Sequence, residues 1–231
     1  MRGYALPSLD PCFNLALEEV FMLRQQEAFL LWRNRSCVIV GRNQNVREEI
    51  DIPFAEKMRI PFFRRISGGG AVYHDLGTIN FSLVTKMNEG KSLFSAFVLP
   101  KIVDDYAVSS RNDVLLAGKK IIGTAQCACH GMNLFHGSLL YDTDLEILEK
   151  VLTPSPRKLL KNGVRSVRER VENLKHLQAL DLSADAFFCH LCEMFRKDIS
   201  FDRLPASFDD FSREVAKAKF CKRSWNAYGE T

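Results

Sequence analysis

Ser67-Gly68-Gly69-Gly70 places three glycines in succession in the interior of the chain. Consecutive glycines are poor in both helix and strand, and they leave the backbone its full conformational freedom. This stretch therefore has to be a loop between more regular segments. Its flanks are charged and titratable: Arg64-Arg65 ahead, Tyr73-His74-Asp75 behind. A backbone without side chains admits a ligand to its N–H groups, and arginine pairs with phosphate or carboxylate oxygens. The loop matches neither the G-x-x-x-x-G-K-[ST] phosphate loop nor the G-x-G-x-x-G dinucleotide turn. A plain surface loop is the alternative, and the flanks favour a binding loop over it.

The segments around the loop suggest what it joins. Asp10-Pro11 opens a helix over 10–27, with apolar residues at Phe13, Leu17, Val20, Phe21 and Leu23. Phe29-Leu30-Leu31-Trp32 and Cys37-Val38-Ile39-Val40 are short apolar runs on either side of Arg33-Asn34-Arg35-Ser36, and we read them as paired strands. Residues 46–58 resemble a helix, and Phe62 to Ile66 looks extended. Thr78 to Val84 alternates like a strand, Val114 to Gly123 reads as a hairpin turning near Gly118, and Phe135 to Tyr141 is a further strand. From Leu145 onward the pattern is mostly helical, with a break at Pro154 and Pro156. Strands in the first 140 residues and helices after them favour an α+β domain over an alternating βαβ one.

Composition narrows the class of molecule. A chain of 231 residues, 46% hydrophobic and 26% charged, is sized for one globular domain. No stretch approaches the roughly 20 apolar residues that span a bilayer, and no signal-type apolar core precedes Asp10, so we expect a cytoplasmic protein with no membrane partner. A net charge of +4 favours anionic ligands without the basic stripe of a nucleic-acid binder. The seven cysteines, at 12, 37, 127, 129, 189, 192 and 221, are odd in number and read as reduced thiols. Cys127 and Cys129 with His130 and His136 lack the paired C-x-x-C knuckles of a zinc site.

Two further clusters bear on chemistry. Gly118-Lys119-Lys120 puts adjacent lysines at a turn; on a strand they face opposite ways, so one can enter a cleft while the other stays in water. Arg111-Asn112-Asp113 supplies an acid that can hold Mg²⁺ or orient a lysine.

Together these blocks resemble the lipoate–protein ligase family. Arg64 to Asp75 is similar to its R-R-x-S-G-G-G-A-V-Y-H-D signature, Asn14 to Glu19 to its N-L-A-x-E-E helix, and Val40 to Asn45 to its I-G-R-x-Q-N turn. Arg111 to Asp113 and Gly118 to Gln126 resemble R-N-D…G-x-K-x-x-G-x-A, followed by His136 to Leu140, Ser166 to Val171 and the closing Trp225 to Gly229. The resemblance implies the biotin/lipoate ligase catalytic fold, a mixed, mainly antiparallel sheet packed with helices. One catalytic domain would span 1–231, helical from about 145, without the smaller C-terminal accessory domain of full-length ligases.

It also implies an activity: lipoic acid is activated with ATP and Mg²⁺ to lipoyl-AMP and passed to a lysine. The recipients would be apo lipoyl domains of 2-oxoacid dehydrogenase E2 subunits or the glycine-cleavage H protein. Lys120, three residues before Gly123, would be the catalytic lysine. Arg65, Ser67, Gly68, Gly69, Gly70 and Ala71 would hold the acyl-adenylate, with His74 lining that pocket and Asn80 and Gly137 as neighbours. Asn112 and Asp113 would act at the adenylate or the Mg²⁺, and Trp32 would wall the acyl tunnel. The accessory domain would be a separate polypeptide or dispensable, or else the chain performs only the transfer. An octanoyl or lipoyl transferase working from a carrier protein is the alternative activity.

Overall fold

The computed structural model describes residues 1–86, 90–109, 113–153 and 170–230. Its larger sheet runs in the order β1-β2-β6-β10-β9-β8-β7, formed by β1 (Arg2–Ala5), β2 (Ala28–Trp32), β6 (Thr78–Lys86), β7 (Ala107–Val108), β8 (Val114–Leu116), β9 (Lys119–Cys129) and β10 (Met132–Leu140). Only β1 and β2 pair parallel there; the remaining pairs are antiparallel. A smaller sheet places β3 (Cys37–Val40) between β4 (Phe62–Arg64), parallel to it, and β5 (Val72–His74), antiparallel to it. The expected mixed, mainly antiparallel α+β architecture is what forms.

Two tight turns set the register of the long strands. Ala117 and Gly118 between β8 and β9, and His130 and Gly131 between β9 and β10, all have positive φ. That is the two-residue hairpin turn whose twist matches the strands it joins. One sequence expectation fails here: β2 and β3 do not pair, but lie in different sheets. Every residue of both strands is buried, so neither shows the one-sided alternation that would have betrayed its partners.

The helices are α1 (Pro11–Leu23), the short α2 (Val46–Glu49), α3 (Ile52–Lys57), α4 (Gly90–Leu93), α5 (Leu145–Val151), α6 (Leu174–Leu177), α7 (Ala184–Arg196), α8 (Ala206–Val215) and α9 (Arg223–Tyr228). The helix read over 46–58 is two pieces, parted where Asp51 caps α3 and Pro53 follows. α1 starts as expected, with the Asp10 side chain accepting from Cys12 N. It is buried on nearly every side, between one face of the large sheet and the helices after 205. The other face of the sheet is covered by α7 and the helical turns of residues 94–101. The small sheet packs with α3 and α5 in a third cluster. Among the described residues, no helix is long and apolar enough to cross a membrane.

Arg64 ties the small sheet to the end of the chain. Its guanidinium donates to five backbone carbonyls, those of Gly41, Arg42, Gln44, Trp225 and Ala227, at 2.8–3.0 Å. The α9 side chains reply: Trp225 Nε1 donates to Arg64 O and Asn226 Oδ1 accepts from Arg64 N.

Candidate active site

The cavity is floored by the face of the large sheet turned toward α1. Strand register arranges that floor in rows. Trp32, Asn80, Ser138 and Gly123 stand side by side on β2, β6, β10 and β9; two residues along come Leu30, Ser82, His136 and Ala125; two further come Ala28, Val84, Leu134 and Cys127. Paired residues across a sheet share a face, which grades from polar to apolar along the strands; the first row, with His136 and Ala125, lines the cavity, and the last row is packed in the core around α1. On the opposite face Ile79, Phe81 and Leu83 enter the second core.

α1 lowers a fully buried carboxylate, Glu18, onto the middle row. Its Oε1 accepts from Ser82 Oγ at 2.6 Å and lies 2.8 Å from His136 Nδ1. His136 Nε2 is 2.7 Å from Ser67 Oγ, which also accepts from Arg65 Nε at 3.0 Å. Trp32 Nε1 donates to Ser82 Oγ at 2.9 Å. One network thus joins α1, the sheet floor and the glycine loop.

Arg65 and the loop shape each other. The Arg65 guanidinium donates to the carbonyls of Ile39, Gly68 and Gly70 and so bends the loop around itself. Burial lowers the Arg65 pKa to about 10, opposed by Glu18 and Glu49, which leaves the group cationic at neutral pH. Gly69 needs its glycine: φ is +88°, and a Cβ there would stand 2.8 Å from Arg65 Nη2. A Cβ on Gly41 would lie 1.9 Å from Gly69 O, so the Val40–Asn45 turn and the glycine loop pack backbone on backbone. At the loop's far end Ala71 N donates to Glu49 Oε2 at 3.0 Å.

Lys120 reaches the same space from β9. A bulge opposite Val114 and Leu115 leaves both Ile121 and Ile122 in the second core and turns Lys120 back toward the cavity. Its Nζ pairs with Asp113 Oδ1 at 2.8 Å, with the two side chains 34% and 24% exposed, so the ion pair is open to an incoming ligand. A Cβ on Gly123 would lie 3.0 Å from that Nζ. Gly123 is therefore the space into which the lysine folds.

The cavity encloses about 730 Å³. On its wall Leu15, Trp32, Ile39 and Val72 belong with the core around α1, whereas Ala71, Leu140, Leu148 and Val171 belong with the small-sheet cluster. Lys120, Asp113, Gly69, Gly70 and Gly123 also lie on its wall.

A family model for the lipoyl protein ligase A/B catalytic domain matches residues 10–196. The chain belongs to that family. The lipoate-protein ligase LplJ of Bacillus subtilis is 37% identical to it over 238 residues, covering 96% of this chain and 71% of that protein. Among solved structures, a bi-partite lipoate protein ligase of Thermoplasma acidophilum superposes with a TM-score of 0.78 at 31% identity, covering 98% and 96% of the two chains. A lipoate-protein ligase A bound with ATP superposes at 0.76 and 27%, covering 98% and 99%.

Of the residues picked from the sequence of this lipoyl ligase domain, Trp32, Arg65, Gly69, Gly70, Ala71, His74, Asn80, Asp113, Lys120 and Gly137 line one cavity. Ser67 and Gly68 stand behind Arg65 and bond to it. Asn112, Arg111 and residues 166–169 lie outside the described residues. Gly137 has a reason of its own: a Cβ there would come within 2.6 Å of the Phe81 ring. Lys119 is not on the cavity wall. Glu18, Glu49, Ser82 and Ser138 were not picked. The signal for Glu18 was present: Asn14 and Glu18 share one face of a helix whose other positions are nearly all apolar.

Proposed function

We propose that this chain is an ATP-dependent lipoate–protein ligase that forms lipoyl-AMP and transfers the lipoyl group to a lysine of an apo lipoyl domain. In the first step a lipoate carboxylate oxygen attacks the α-phosphorus of ATP, the bond to the β-phosphate breaks, and pyrophosphate leaves. In the second the carrier's ε-amine attacks the acyl carbon, the C–N bond forms, and the acyl–oxygen bond breaks with release of AMP and a proton. One observation carries the proposal: the Lys120 ammonium, paired with Asp113, stands on the wall of the cavity beside a glycine loop closed by a buried Arg65. An ammonium there offsets charge that develops on the acyl carbonyl and the α-phosphate. The wall of Leu15, Trp32 and Ile39 suits an aliphatic acyl chain, and the wall of Ala71, Leu140 and Leu148 suits a purine ring.

Asp113 offers the kind of donor that Mg²⁺ takes, one carboxylate beside substrate phosphates. The ion would offset phosphate charge during activation. The bi-partite Thermoplasma ligase supports a second polypeptide working alongside the catalytic chain. The transferase alternative draws less support. Among the described residues no cysteine lines the cavity, and burial pushes the nearby Cys127 thiol up to about 12, away from the nucleophilic thiolate.

The test mixes the protein with ATP, Mg²⁺, lipoate and an apo lipoyl domain, from an E2 subunit or the glycine-cleavage H protein, and weighs the domain by mass spectrometry. Addition of one lipoyl group is expected, and Lys120→Ala should bind lipoate yet lower modification by about 10²-fold or more. Modification only from synthetic lipoyl-AMP would assign activation to a partner chain. Failure with both would favour carrier-to-carrier transfer.

A further inference from the structure

We infer that the Asn80 carboxamide is a hydrogen-bond donor aimed at the acyl oxygen of the substrate, fixed in that orientation by Asn34, His74 and Ser138 acting as positioning residues. The inference rests on the ligase reading and adds a second donor to Lys120.

The orientation follows from hydrogen-bond bookkeeping along a single chain. Asn14 Nδ2 lies 3.0 Å from the carbonyl oxygens of Ser8 and Arg33, so that atom is the nitrogen, and its two protons are shared among these oxygens and Asn34 Oδ1 at 2.9 Å. Asn34 then turns its own nitrogen to His74 Nδ1 at 3.1 Å, which leaves that ring nitrogen the acceptor. The single ring proton sits on Nε2 and is donated to Ser138 Oγ at 2.9 Å. The serine hydroxyl has one proton left to give, and it goes to Asn80 Oδ1 at 2.7 Å. Each group is oriented by the one before it, and the short Ser138–Asn80 bond turns the Asn80 oxygen toward Ser138 and its NH₂ away. Burial, with Arg65 and His136 nearby, lowers the His74 pKa to about 3, in keeping with the neutral ring that the chain requires.

Asn80 Nδ2 is buried and, among the described residues, has no hydrogen-bond partner. Buried amides are nearly always paired, so an unpaired one on a cavity wall points to an acceptor on the ligand. Register says which acceptor. Asn80, Ser138 and Gly123 are neighbours in one row, and the Lys120 ammonium folds over Gly123. The two nitrogen donors therefore flank the space above Ser138, one on each side. An acyl carbonyl placed there receives both. When the carrier amine adds to the carbonyl carbon, the C=O electron pair moves onto oxygen between these donors. It returns as the bond to AMP breaks and the surplus amine proton passes to water.

The experiment follows single-turnover transfer from synthetic lipoyl-AMP to an apo lipoyl domain, and separately the Kd for lipoyl-AMP. Asn80→Ala should slow transfer by about 10²–10³-fold, the range seen when one oxyanion donor is removed. Its Kd should change less than roughly tenfold. Asn80→Asp keeps the shape but puts an oxygen where the donor was, and should be as slow. Ser138→Ala keeps Asn80 but frees its carboxamide to rotate, and should lose roughly tenfold, the worth of about one hydrogen bond. If Asn80→Ala fails to fold, the other two variants decide. An active wild type with Asn80→Ala transferring within about threefold of it, or weakened only in Kd, would overturn the Asn80 role alone. A wild type inert with lipoyl-AMP would overturn the ligase reading and the Asn80 role with it.

Discussion

Arg64 and Arg65 stand next to each other in the glycine-loop signature, yet Arg64 clamps the end of the chain while Arg65 holds the glycine loop, and replacing Arg64 by lysine tests that division of labour. The Arg64 guanidinium is buried, has no carboxylate partner among the described residues, and satisfies five carbonyls, three of them through partly buried hydrogen bonds. The two fully buried acceptors, Trp225 O and Gly41 O, decide the magnitude. Lysine carries three donors on one nitrogen and cannot reach carbonyls arrayed around a planar fork. With both buried carbonyls stranded at about 1–2 kcal/mol each, Arg64→Lys should lose about 2–4 kcal/mol of stability. Urea unfolding followed by tryptophan fluorescence measures this directly, provided the slope with denaturant is unchanged. Lipoate affinity without denaturant should stay near that of the wild type, because Arg64 does not line the cavity. A loss under about 0.5 kcal/mol, the scatter of ordinary surface substitutions, would refute the clamp. So would a collapse of lipoate affinity with stability intact.

Two further outcomes follow from the same geometry. The His74 pKa is lowered from 6.5 to about 3 in the folded chain, so the unfolded chain takes up the proton first; the contribution is complete above pH 6.5 and is lost as pH falls toward 3. Stability should therefore fall by up to about 1.4 kcal/mol per pH unit across that window, and a His74→Gln variant measured in parallel should show a shallower fall. Gly137→Ala would push a Cβ to within 2.6 Å of the Phe81 ring and should cost about 1–3 kcal/mol in thermal or urea unfolding, with lipoate affinity per folded molecule unchanged; unchanged stability with lost affinity would return Gly137 to the ligand side.

The sequence carried the fold class because its strands announce themselves: Thr78 to Val84 alternates, and the turn at Gly118 accepts positive φ. It did not carry the partners of β2 and β3, since strands buried on both faces show no alternation from which a neighbour can be inferred. Lys120 is told from Lys119 by its place three residues before Gly123 in the family pattern, not by strand alternation. Strict alternation would send Lys120 and Gly123 to opposite faces, and only the bulge at Ile121 brings them together. The roles of Glu49 and Ser138 come into view only with the elements that bring them to the cavity.

What was legible, then, was a set of spacings, and the structure supplies their causes. The glycine of the Val40–Asn45 turn is fixed by the backbone of Gly69, and the glycine three residues after Lys120 by the lysine that folds over it. Glu18 in the first block meets His136 in a late one, and that contact continues through Ser67 to Arg65 in the central signature. These blocks recur in order because each holds part of another, so a change in one should be felt through its partner. Substitutions at Glu18 and at Arg65 are accordingly expected to be non-additive, whereas Glu18 and Arg64, which share no hydrogen-bond partner, should combine additively.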